Sequence, residues 1–292
     1  MEQELQSGDV VANKLRFHYL EAGRGPLVLC LHGFPDHAYT FRHQLPALAD
    51  AGFRAVAPFM RGYAPTDASP TGSYQTAALA QDVIALIDAL GAKSAAVIGH
   101  DWGAVAAFGA AQLAPNKIGK LITLAVPHVA PLFQAFITNP AQQRRSWYLF
   151  FFQQALADAA LVHDEFAFLD RIWQEWSPGW NYPPEEMASL KRTFSKPGVV
   201  QGALGYYRCL FNTNLHDPAL AAIQAELFTK PIAVPTLYFH GAKDGCIGAE
   251  LANDMDTMFT GGLKKIVMPA AGHFVHQEAA DAVNREILKW LV

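Results

Sequence analysis

A single carboxylate stands between two glycines in Gly99-His100-Asp101-Trp102-Gly103. The segment follows a short apolar run at residues 95–98 and opens a helical pattern that continues to about Leu113. Strand, glycine-flanked polar residue and helix, in that order, make the G-x-S-x-G nucleophile elbow, here with aspartate in the serine position. A sharp strand-to-helix turn strains the central backbone, and side chains on its neighbours would collide with adjacent strands, hence the glycines. The turn lifts Asp101 over the sheet edge, where the positive end of the following helix favours an anion. A carboxylate held this way suits displacement at carbon, giving an ester that water can later cleave.

Three further segments supply partners for such chemistry. His32-Gly33-Phe34-Pro35-Asp36 follows the apolar run 27–31. A loop there donates one backbone amide to a developing oxyanion, and the residue after the nucleophile donates the other. Phe34 N–H and Trp102 N–H are the expected pair, each worth roughly 3–4 kcal/mol in the transition state. His32 itself reads as structural. Gly241-Ala242-Lys243-Asp244 and Gly272-His273-Phe274 each follow a strand-like run, at 236–239 and 266–268. Asp101, Asp244 and His273 thus occur in the chain order nucleophile, acid, histidine. His276, three residues further on at a helix start, is the competing histidine.

These residues need a scaffold that brings distant loops to one edge. Apolar, partly β-branched runs at 27–31, 54–57, 95–98, 121–126, 236–239 and 266–268 read as strands buried on both faces. Between them lie helices. Leu79, Val83, Leu86, Ile87 and Leu90 keep helical spacing, with Thr76 expected to cap the start and Gly91 to end it, and another helix spans about 281–291. This alternation implies a parallel sheet covered by helices on both faces. Alternation within the first 25 residues predicts an antiparallel lead-in hairpin. From about Pro127 to Lys230 the chain shows helical patterns but no good strand, and it is rich in aromatics. This is read as a helical cap inserted into the sheet domain, giving a core of residues 1–127 and 232–292 and a cap of residues 128–231. An aromatic lid over a sheet edge makes an apolar pocket.

Composition narrows the partners. The 292 residues are 51% hydrophobic and 16% charged, with a formal net charge of −4. No basic excess exists to neutralise phosphates, which argues against nucleic acid. No apolar segment approaches the roughly 20 residues of a membrane helix, and the polar start shows no secretory signal. The three cysteines, Cys30, Cys209 and Cys246, are too few and too widely spaced for a disulfide framework or a zinc ribbon. A cytoplasmic, membrane-free protein with reduced thiols is expected.

Taken in order, His32-Gly33-Phe34-Pro35, Arg61-Gly62-Tyr63, Gly99-His100-Asp101-Trp102-Gly103, Asp244 and Gly272-His273-Phe274 resemble the motifs of the epoxide hydrolase branch of the α/β-hydrolase superfamily. The resemblance implies the α/β-hydrolase fold, a mostly parallel eight-stranded sheet with helices on both faces and an inserted helical cap. It also implies two cap tyrosines that activate an epoxide oxygen. Ser146-Trp147-Tyr148 resembles the first tyrosine motif and Gly205-Tyr206-Tyr207-Arg208 the second, with Tyr207 in the matching place. Tyr206 lies about 100° away on a helix, so one of the pair should face the pocket. The expected pocket is lined by Phe34, Trp102, Trp147 and Phe151. The implied reaction converts an apolar epoxide and water to a diol, without metal or organic cofactor, in a monomer or homodimer. The nearest rival is a haloalkane or haloacid dehalogenase, which shares the aspartate nucleophile. Trp102 resembles the first halide-binding residue of the haloalkane enzymes, but Phe34 stands where a second halide donor is usual, and a phenyl ring cannot donate. The haloacid enzymes that act on fluoroacetate would have arginine where Trp102 stands.

Overall fold

The structure, a computed structural model, describes residues 5–292; the first four residues of the polar N-terminus lie outside the described residues. Among the described residues eight strands form one sheet: β1 (Gln6–Ala12), β2 (Leu15–Ala22), β3 (Leu27–Leu31), β4 (Arg54–Pro58), β5 (Ala95–His100), β6 (Ile118–Leu124), β7 (Thr236–Gly241) and β8 (Leu263–Met268). Their spatial order is β1-β2-β4-β3-β5-β6-β7-β8. β1 and β2 form the expected hairpin, β2 runs antiparallel to β4, and the strands from β4 to β8 are parallel. β3 and β7 are buried at every position, whereas β1 at one edge alternates between exposed and sheltered positions. That contrast follows from helices covering both faces of the central strands and solvent reaching the edge.

The helices are α1 (Gln44–Asp50), α2 (Thr76–Ala89), α3 (Trp102–Leu113), α4 (Val129–Thr138), α5 (Pro140–Arg145), α6 (Trp147–Phe151), α7 (Leu156–Trp176), α8 (Pro184–Phe194), α9 (Val199–Phe211), α10 (Ala221–Glu226), α11 (Val275–Glu278) and α12 (Ala280–Leu291). None is long and apolar enough to cross a membrane. α2 spans Thr76–Ala89 and stops before Gly91, whose φ of 82° suits glycine. The expected Thr76 cap is corrected: Thr76 is the first helical residue, Gln75 precedes it, and Thr76 Oγ1 instead accepts from Gln224 Nε2 at 2.7 Å. The hydroxyl is drawn away by a partner 148 residues distant, which no local pattern encodes.

Strand register sets the site. Gly99 on β5 pairs with Leu31 on β3 and with Thr123 on β6, and Leu124 on β6 pairs with Phe239 on β7. The carboxyl ends of β3, β5, β6 and β7 are therefore level, and the segments leaving them meet over one edge. β3 connects on one side to β4 and β5 lies on the other, so the edge includes the point where strand order reverses, the usual ligand crevice of such sheets.

The helices α4 to α10 all fall between β6 and β7 and sit over this edge. They are fixed to the sheet by specific bonds: Trp173 Nε1 donates to Pro35 O at 2.9 Å and Tyr206 OH to Arg61 O at 2.9 Å. Arg61 is itself locked by a buried bidentate pair with Asp82, Nε to Oδ2 at 2.6 Å and Nη2 to Oδ1 at 2.7 Å. The Arg61-Gly62-Tyr63 segment therefore acts as a seat for α9.

Candidate active site

Asp101 has φ 51° and ψ −121°, a conformation that L residues avoid, between β5 and α3. The strain persists because the surroundings fix it. Asp101 O accepts from Ala104 N at 2.9 Å and Val105 N at 3.3 Å, which anchors the helix start and leaves the carboxylate free of any capping role. A Cβ on Gly103 would lie 2.0 Å from Leu31 O, and one on Gly33 would lie 2.3 Å from Asp101 Oδ1. Both glycines thus make room, the first for the elbow to approach β3 and the second for the carboxylate itself. Gly103→Ala is expected to cost about 3 kcal/mol of stability, because backbone atoms must move to admit the methyl group. Urea unfolding reads this; a variant as stable as the parent would contradict the close approach.

Asp101 Oδ1 accepts from Phe34 N at 2.6 Å. Trp102 N belongs to the first turn of α3, where amides have no intrahelical acceptor. Of the two amides expected from the sequence, Phe34 N–H therefore meets the Asp101 carboxylate, and Trp102 N–H follows Asp101 directly in the chain. Phe34's ring is fully buried against Phe152, Trp176, Phe194 and Tyr207, so its side chain is a rigid anchor for its own amide.

His273 lies in the loop after β8. Its Nδ1 is 2.9 Å from Asp244 Oδ2 and its Nε2 is 3.7 Å from Asp101 Oδ2, with no hydrogen-bond partner on Nε2. Backbone bonds aim the ring: His273 N donates to Trp176 O at 3.1 Å, and His273 O meets His100 Nε2 at 3.0 Å. Asp244 Oδ1 accepts from Cys246 N at 2.7 Å and Ile247 N at 2.9 Å. Burial alone would raise the Asp244 pKa; the charge and hydrogen bond of His273 outweigh it and hold the carboxyl below its ordinary value. Burial likewise works against protonating His273, but the Asp244 carboxylate, helped by the nearby Asp101 carboxylate, outweighs it and holds the imidazole well above its ordinary range. His276 is directed elsewhere, its Nε2 lying 2.6 Å from Thr40 Oγ1. His32 Nε2 accepts from Met60 N at 2.9 Å, a bond between loops, as its structural reading anticipated.

Tyr148 on α6 and Tyr207 on α9 face each other, ring centroids 5.7 Å apart and planes at 90°. Burial, with Cys246 beside Tyr148 and Asp101 near both, pushes the two phenols well above their ordinary range, so both remain proton donors. Tyr207 OH has no partner, while Tyr148 OH lies 3.2 Å from Cys246 Sγ. Tyr206 also borders the cavity, but its hydroxyl is committed to Arg61 O.

These groups border a cavity of about 200 Å³. Asp101, Trp102, Tyr148 and Tyr207 line it; most of the remaining wall is apolar. The expected lining needs correction for Phe34, Trp147 and Phe151, none of which lines the cavity. Residues four apart share a helix face. Tyr148 and Phe152 turn inward, whereas Trp147 and Phe151 turn toward Phe168 on α7, and Arg171 lies over the Trp147 ring. Phe34 contributes its amide and a ring packed behind the wall. Of the wall residues missed from the sequence, four are on α4: Val129, Leu132, Phe133 and Phe136. Their spacing of three, four and seven is a helical stripe, a signal that was available. Gln142 and Cys246, described below, gave no such signal.

Comparison with known proteins fits this geometry. The family model described as alpha/beta hydrolase fold matches residues 26–280. Epoxide hydrolase 1 of Caenorhabditis elegans is 32% identical, over 95% of this chain and 68% of its own length. Epoxide hydrolase A of Mycobacterium tuberculosis (strain ATCC 25618 / H37Rv) is 30% identical, over 97% of this chain and 96% of its own. A solved structure of Bacillus megaterium epoxide hydrolase in complex with an inhibitor superposes with a TM-score of 0.86 at 25% identity, covering 97% of this chain and 99% of that one. A family model matching most of the chain and a relative 30% identical that is matched over 96% of its own length show the family: the chain belongs to the α/β hydrolase fold family, in its epoxide hydrolase branch.

Proposed function

We infer that this protein is an epoxide hydrolase converting an apolar epoxide and water to a vicinal diol through a covalent ester on Asp101. The observation that carries the reading is the Asp101 carboxylate bordering the same apolar cavity as two buried phenols, one with its hydroxyl unshared. An epoxide carries no carbonyl, so its opening needs a nucleophile at carbon and a proton donor at oxygen; this pairing supplies both. The carboxylate attacks carbon as the C–O electron pair moves to oxygen, and a phenol protonates the oxygen. Burial disfavours the phenolate and the opened alkoxide alike, and an alkoxide is intrinsically the stronger base, so the phenol can still give up its proton to it.

His273 then takes a proton from water, which adds to the Asp101 ester carbonyl. The resulting oxyanion is received by Phe34 N–H and Trp102 N–H. Asp244 orients the imidazole and stabilises its cation. Ester formation also removes the Asp101 charge that helps keep His273 protonated, so the base is released at the step that needs it. Cap residues 128–231 supply the phenols and core residues 1–127 and 232–292 the remaining groups. Buried, free Cys30, Cys209 and Cys246 support a reducing, cytoplasmic setting, and the reading calls for no cofactor or partner beyond substrate and water, in a monomer or homodimer.

The dehalogenase alternative is not favoured. Phe34 offers a ring where that chemistry wants a second donor to the leaving halide. Purified protein offered styrene-oxide-like epoxides and short bromoalkanes side by side should form diol at least about tenfold faster than it releases halide. The opposite ranking would move the chain to the dehalogenase reading.

A further inference from the structure

Cys246 is fully buried two residues after Asp244, and the steps above give it no task. Its Sγ lies 3.2 Å from Tyr148 OH. Its backbone is pinned at both ends: the N–H donates to Asp244 Oδ1 at 2.7 Å, and the carbonyl accepts from Gln142 Nε2 at 2.9 Å. Gln142, on α5, also accepts from Gly248 N at 3.0 Å and donates to Ser146 Oγ at 2.9 Å, immediately before α6. The loop holding the acid and the helix holding Tyr148 are thus one bonded unit, and the thiol is placed against the phenol by it. Tyr207 has nothing comparable; its hydroxyl is unpartnered. The two tyrosines are chemically unequal.

We propose that Cys246 is a positioning residue for the ring-opening step: its S–H donates to Tyr148 Oη as that phenol gives up its proton, so that Tyr148 is the proton donor and Tyr207 a hydrogen-bonding partner only. This rests on the epoxide hydrolase reading and refines it. The thiol is able to donate, since burial pushes its pKa up to about 11 and keeps the proton on sulfur.

The step balances. The Asp101 oxygen bonds to carbon, the ring C–O bond breaks, its electron pair takes the Tyr148 proton, and the phenolate is held by the S–H of Cys246. When water later cleaves the ester, it supplies two protons. One goes to the departing alkoxide, and the other, through His273 or directly from the acid formed on Asp101, returns to Tyr148. A hydrogen bond to a charged group is worth about 1.5–3 kcal/mol, and a thiol, as a weak donor, belongs at the low end, about a tenfold effect on rate.

Single-turnover rapid-quench measurements separate ester formation from ester breakdown. Cys246→Val keeps the bulk but cannot donate; it should slow ester formation about tenfold and leave breakdown within about twofold. Cys246→Ser, which can donate, should remain within about threefold of the parent in both steps. In a Tyr148→Phe background, Cys246→Val should produce no further slowing. Breakdown in the same samples reports a folded site, so the comparison survives a loss of overall stability. Parental ester formation in Cys246→Val, equal slowing in the serine and valine variants, or slowing that persists without the Tyr148 hydroxyl would each overturn the proposal while leaving the ester mechanism intact. A parent enzyme that forms no ester with any epoxide would instead remove the reading beneath it.

Discussion

His273→Gln should take up one epoxide per chain and then stop. Ring opening draws on the Asp101 carboxylate and the cap phenols, none of which the substitution touches. Ester cleavage needs a base within reach of water beside Asp101, and His273 Nε2, 3.7 Å from Asp101 Oδ2 and free of other partners, is the group so placed. Removing a general base costs on the order of 10²–10⁴ in rate. Steady turnover should therefore fall by about that factor while the protein gains one substrate mass. Peptide mapping should find the adduct on the segment containing Asp101, and Asp101→Ala should gain no mass. In heavy-oxygen water, a single turnover of the native enzyme should label the Asp101 carboxylate first. Label appearing in the diol during that turnover, with none in the protein, would mean direct attack of water on the epoxide and would refute the nucleophile.

The same step carries a pH signature. The protonated imidazole cannot accept a proton, so ester breakdown should fall about tenfold per pH unit below the His273 pKa of the ester form. That pKa lies below the resting enzyme's, because esterification neutralises a carboxylate that favours the cation. Ring opening should persist on this acid limb, since protonating His273 leaves Asp101 and the phenols unchanged. Single turnovers between about pH 5 and 9 would show ester accumulating toward low pH; ring opening and breakdown declining together would contradict the division of labour.

Replacing both Tyr148 and Tyr207 by Phe should have the second largest effect. Phenyl rings keep the packing, including the Tyr207 contacts with Trp102 and Phe34, and remove only the hydroxyls. The opened oxygen would then leave as a bare alkoxide in a largely apolar cavity, at a cost of several kcal/mol. The double variant should lose about 10³-fold or more in diol formation, and each single variant less. Near-parental diol formation by the double variant would free the tyrosines of this role.

Much of this site is written locally. Gly99 and Gly103 around Asp101 specify an elbow because a side chain at Gly103 would meet β3 and one at Gly99 the start of α3, and the order Asp101, Asp244, His273 follows from which strand each residue leaves. Short apolar runs of strand length and helical stripes gave the alternating architecture and the inserted helices. These signals are readable because backbone geometry and burial act on neighbours in sequence. Tertiary packing decided the rest. Whether Trp147 or Tyr148 faces substrate depends on the rotation of α6 against α7, a phase set by Phe168 and Arg171 from another helix. Thr76 lost its capping role to Gln224, and Tyr206 was taken out of the chemistry by Arg61 O. Cys246 meets Tyr148 across 98 residues because the Asp244 loop and α5 share Gln142. A side chain's partner across such a distance is fixed by register and helix phase, quantities that exist only once the chain has closed on itself.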